Sequence, residues 1–127
     1  MSNIEKKDYP ENIIRRIKET IQKGKFGIDF TISKREKNEY LKQQYNINDD
    51  KIIEIMMDLE TKDFIKKEKS NNLLHPEDII YVFKKSVLLM PKWIEDAEYC
   101  NVMIYIKITW PDEQKFMFII SFHQDNI

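Results

Sequence analysis

Four isoleucines, Ile13, Ile14, Ile17 and Ile21, recur at helical spacing along PENIIRRIKETIQK and predict a helix over residues 10–23. Pro10 suits its first turn, where a missing N–H is no loss. Gly24 is expected to stop it in a left-handed conformation. Phe26, Ile28, Phe30 and Ile32 then alternate, which predicts a short strand or an extended arm lying on the core. Ser33 and Glu36 have the spacing of a capping box. They open a second helix over 34–44, with Tyr40 and Leu41 facing inward. Asn46 and Asn48 break it, and a third helix begins at Asp49 or Asp50. It carries Ile52, Ile53, Met56, Met57 and Leu59, a stripe that reads as core rather than as a cofactor site.

Beyond Thr61 the period changes from that of helices to that of strands. Residues 63–69, 79–85, 102–110 and 116–123 all read as strands, with turn chemistry at Asn71-Asn72 and at Pro111-Asp112-Glu113. Residues 90–99 read as a loop or a short helical turn. Helices first and strands afterwards predict an α+β domain, its helices packed on one face of a small C-terminal antiparallel sheet. The 127 residues fit one domain, with no repeat, low-complexity segment or linker.

Composition narrows the classes of function. Hydrophobic residues make up 42% and charged residues 34%, as in ordinary globular proteins. The 21 cationic side chains are balanced by 22 anionic ones, so any attraction to nucleic acid has to be local. Cys100 is the single cysteine, which excludes an internal disulfide framework and fits a reducing, cytoplasmic setting. It reads as a small apolar filler. The two histidines, His75 and His123, are far apart in sequence, so no metal or other cofactor is expected. His75, before Pro76, reads as a solvated turn residue. No run nears the roughly 20 apolar residues of a membrane span. The polar start MSNIEKKDYPE lacks the apolar stretch of a signal peptide.

The chemistry concentrates in the last two strands. Val102, Ile104, Ile106, Ile108 and Trp110 form one apolar face, leaving Met103, Tyr105, Lys107 and Thr109 on the other. In the final strand, Phe116, Phe118, Ile120 and Phe122 are the apolar set and Met117, Ile119, Ser121 and His123 the mixed one. If the apolar sets share the core, then Tyr105, Lys107, Ser121 and His123 share the opposite surface, barring a bulge. The strand DFIKKEK adds Lys66 or Lys67, depending on which of them faces outward. This is the set that RNA cleavage without a metal requires. A 2′-hydroxyl must lose a proton, a 5′-oxygen must gain one, and a cation must offset the charge of the phosphorane. An imidazole can serve as acid or base, the lysines can hold phosphate, and Tyr105 can stack on a base.

In order, LETKDFIKKEKS, IIYVFKK, IYIKITW and FIISFHQ resemble the MqsR family of ribonuclease toxins from type II toxin–antitoxin pairs. The resemblance covers about residues 26–125 and leaves residues 10–25 as an N-terminal helical extension. It implies a RelE-like fold, cleavage of messenger RNA without metal, and neutralisation by a cognate antitoxin protein. It also implies that Lys66, Tyr105 and His123 are the catalytic residues; Lys67, Lys107 and Tyr81 are the candidate RNA-binding residues beside them. Two positions depart from the family pattern. Ile65 stands where a Tyr occurs in the best-known members, and residues 79–83 lack their Trp-Gln pair, with Tyr81 in the aromatic place. These departures motivate an alternative. The chain would then be a non-catalytic protein-binding module, such as an inhibitor encoded by a mobile element, that captures a protein partner through Trp93 and Tyr99.

Overall fold

The computed structural model describes residues 9–125. The polar start, residues 1–8, and Asn126 and Ile127 lie outside them. The protein is an α+β fold of three helices and a five-stranded sheet. Helix α1 spans Pro10–Lys23, strand β1 Phe30–Ile32, helix α2 Glu36–Gln44 and helix α3 Asp49–Met57. Strands β2 (Phe64–Lys69), β3 (Ile79–Leu89), β4 (Cys100–Thr109) and β5 (Met117–Gln124) follow.

α1 forms as its isoleucine stripe predicts, and all four isoleucines are buried. They join the inward residues of α3, among them Ile52, Ile55 and Met56, and those of the sheet in one core cluster, so α1 shares its core with the rest of the fold. Gly24 does not stop the helix in a left-handed turn; its backbone is extended, with φ −112°. A glycine is needed there for space, because an added Cβ would stand 2.5 Å from the Asp29 Cβ and 2.6 Å from the Thr20 carbonyl. The alternation at 26–32 yields only a three-residue strand. Gly27, with φ +89°, turns the chain before it, and Ile28 faces solvent.

The sheet order is β1-β5-β4-β3-β2, and the sheet is mixed rather than antiparallel. β1 runs parallel to β5, while the other neighbours are antiparallel. No capping box opens α2; Arg35 occupies its N-cap without a side-chain bond. The Ser33 N–H instead carries the β1–β5 ladder one step further, to the Ile119 carbonyl. The next rung is made by a side chain. Asn38, fully buried, donates to the Ile120 carbonyl and accepts from the Phe122 N–H, at 3.1 and 2.8 Å. α2 is thereby fixed to the edge of β5 rather than laid on the face of the sheet, and Asn38 takes the inward position expected of Tyr40.

β5 also differs from a simple alternation. Its register against β4 shifts between Lys107 and Ile108, leaving Ile120 as the extra residue. Before the bulge Met117 and Ile119 enter the core; after it, Phe122 does. Phe116, Phe118 and Ile120 are therefore only half-buried and lie off the core, opposite to the expectation.

Candidate functional site

The site is the sheet face away from the core. β4 buries Ile104, Ile106 and Ile108, so Tyr105 and Lys107 must point the other way. Beyond the bulge, His123 pairs with Tyr105, and Ser121 pairs with Lys107. The four residues expected on one face of the sheet share it, although Ser121 is buried within that face. The bulge does not scatter them, because it precedes Ser121.

The rings of Tyr105 and His123 stack, with centroids 5.5 Å apart and planes 29° from parallel. The His123 Nδ1 lies 3.0 Å from the Gln124 carbonyl oxygen. A carbonyl can only accept, so this bond puts the proton on Nδ1 and leaves Nε2 of the neutral ring as the free base. Two ammonium groups flank Tyr105, the Lys107 Nζ 5.6 Å and the Lys84 Nζ 5.9 Å from the ring centroid. Arg35 adds a third cation to the face, donating to the Ser121 hydroxyl at 3.0 Å.

Lys66 pairs with Val82, which pairs with Lys107, so Lys66 shares this face two strands away. It is tied to the site by Glu68, whose carboxylate takes the Lys66 and Lys107 ammonium groups at 3.2 Å each. Burial pushes the Glu68 carboxyl up, but the hydrogen bonds from the two lysines outweigh it and hold its pKa below the ordinary value. Asp125 makes a similar pair with Lys84, also at 3.2 Å.

Two expected RNA-binding residues are elsewhere. Lys67 and Tyr81 pair with each other and stand on the core side of the sheet. Tyr81 is buried, its ring edge-to-face with Trp110 at 5.8 Å. The bulge between Phe64 and Lys66 decides which lysine of DFIKKEK faces outward, and it selects Lys66 over Lys67.

The sequence reading missed four residues of the site. Lys84 has the opposite parity to the buried Phe83 and could have been found from alternation along β3. Glu68 shares the parity of Lys66 and could have been found with it; Tyr40 and Arg35 had no comparable signal, since helix and loop placement brings them to the sheet. Tyr40, Tyr105 and His123 line a cleft of about 580 Å³ between α2, the middle of β4 and the end of β5. A second cleft of about 540 Å³ continues along the face past Lys107 and Arg35 to His75. His75 is half-exposed, 3.5 Å from Asp112. With Asp78 these two form a group whose ligand atoms lie within 4.8 Å of one another, the one group of described residues able to hold a metal ion. Sequence spacing hid it, because the fold assembles it from two loops. The lone Cys100 is half-buried, with its sulfur 3.7 Å from the Leu89 carbonyl.

Among the described residues, no helix is long and apolar enough to cross a membrane. No protein-family model, curated protein or solved structure matches the chain.

Proposed function

We propose that this protein is an endoribonuclease of the MqsR toxin type, with a RelE-like fold, cleaving messenger RNA without a metal in the cytoplasm and neutralised by an antitoxin protein. The observation that carries this reading is the stacked Tyr105–His123 pair with the Lys84 and Lys107 ammonium groups within 6 Å of the Tyr105 ring. The sequence resemblance gives it a reaction. The His123 Nε2 takes the proton of a ribose 2′-hydroxyl, whose oxygen attacks the adjacent phosphorus. The bond from phosphorus to the 5′-oxygen breaks, and the Tyr105 hydroxyl returns a proton to that oxygen. Lys107, with Lys66 beyond Glu68, offsets the extra negative charge on the phosphorane.

The test is purified protein on mixed RNA in the presence of EDTA. Wild type is expected to cleave, and His123→Ala to lose about 10²–10⁴-fold in rate, the usual contribution of one acid–base group. Equal persistence of the RNA with both proteins would remove the enzyme reading. Growth arrest on expression, relieved by a co-expressed binding protein, is the expected outcome for the antitoxin part.

One observation favours the alternative of a non-catalytic protein-binding module. Trp93 is 89% exposed and Tyr99 65%, on the same β3–β4 connection as the exposed Ile94. Exposed aromatics of this size suit a protein interface. Capture of one stoichiometric protein partner, by a protein that leaves RNA intact, would establish that reading instead.

A further inference from the structure

Tyr40 has no packing reason to be where it is. It sits one residue before the buried Leu41 on α2, and 51% of its surface is exposed. It lines the same cleft as Tyr105 and His123, whose rings stack. Three aromatic residues therefore border one opening of about 580 Å³, large enough for a nucleoside. Lys37 stands on its wall, and Lys84 and Lys107 lie within 6 Å of the Tyr105 ring, ion-paired with Asp125 and Glu68, whose place a phosphate backbone would take. Glu36 and Asp125 supply acceptors on the same wall.

From this juxtaposition we infer that the Tyr40 cleft is a subsite for one unpaired nucleobase beside the scissile phosphate, which makes single-stranded RNA the substrate class. The inference rests on the endoribonuclease reading and deepens it. Aromatic faces stack on any base, whereas the bases of a duplex are stacked inside it and cannot enter. A base held between Tyr40 and the Tyr105–His123 pair brings its own ribose beside the imidazole. Tyr40 is thus a binding residue, and the proton transfer remains with His123.

The test measures binding and cleavage in parallel. Binding is read by fluorescence anisotropy with a 2′-O-methyl oligonucleotide, which lacks the attacking hydroxyl, as a single strand and as a duplex. Wild type is expected to prefer the single strand. Tyr40→Ala should weaken that binding roughly 5- to 150-fold, the range for loss of one base–aromatic stack, while Tyr40→Phe retains it. Tyr40→Ala should raise KM on cleavable RNA more than it lowers kcat. Because Tyr40 is half-exposed, the variants should melt near the wild-type temperature. If wild type cleaves RNA but Tyr40→Ala binds and cleaves as wild type does, or if duplex binds as tightly as single strand, the subsite is refuted and the nuclease reading stands. If wild type neither binds nor cleaves RNA, both fall.

Discussion

The Glu68 carboxylate spans the Lys66 and Lys107 ammonium groups. On the proposed endoribonuclease reading, an RNA phosphate entering this end of the face competes with it for both. Glu68→Gln keeps the shape and removes the competing anion. It should tighten RNA binding about two- to fivefold at low salt, the scale of a partly exposed ion pair, as read by anisotropy. The same residue sets an acid limit. Its folded pKa is lowered, so its contribution to stability is present above the ordinary glutamate value near 4.3 and is lost as pH falls through the lower folded value. Glu68→Gln should show a shallower loss of stability below about pH 4 in acid denaturation. Lys85 behaves in the opposite sense. It is buried on the core side of β3 and paired with Asp63 and Asp58 at 3.3 and 3.2 Å. Burial lowers its pKa, but the two carboxylates outweigh that and raise it. Its contribution is present below the ordinary lysine value near 10.4 and is lost as pH rises through the folded value. Lys85→Met leaves the buried Asp63 without its countercharge, with the Glu60 N–H still bonded to it, and should cost about 3–5 kcal/mol in urea denaturation.

Strand β5 is where local pattern and tertiary structure part. Its edge is completed first by β1, then by the Ser33 N–H, then by the Asn38 side chain. Asn38→Ala would remove the partner of the buried Phe122 N–H and of the part-buried Ile120 and Ser33 carbonyls. It should cost about 2–4 kcal/mol by denaturation, and cleavage should fall with it because His123 lies just past the bulge. The helical stripes of α1 and α3 were legible because a 3.6-residue period repeated over two or more turns leaves little choice of face. The Tyr105–His123 pairing was legible for a similar reason, since Phe122 and Ile106 must share the core. The phase of residues 116–120 was not, because a single extra residue reverses it and both phases of MFII are apolar. Nor was the role of Asn38, as nothing local distinguishes an amide that replaces a strand from one that faces water. Lys66 and Lys67 were separable only once the bulge after Phe64 was known.

Taken as one body, the protein has a sheet with an apolar side and a mixed side, on which charged residues stand among Ile80, Val82, Phe118 and Ile120. The near-balance of 21 cations and 22 anions conceals this, because carboxylates such as Glu68 and Asp125 sit directly on the lysines of the mixed side. Such a face attracts a polyanion only when those carboxylates are displaced, so binding should weaken steeply with added salt. The two clefts lie on the same side of the sheet, one at Tyr40 and the other reaching His75. The central claim is chemical: one imidazole, one phenol and neighbouring ammonium groups suffice to transfer a phosphodiester from a 5′-oxygen to a 2′-oxygen. The most direct measurement is the analysis of product ends from an oligonucleotide carrying a single ribose, incubated with the protein in EDTA. The account predicts a 2′,3′-cyclic phosphate and a 5′-hydroxyl, both absent with His123→Ala. An intact oligonucleotide, or products ending in a 5′-phosphate, would contradict it.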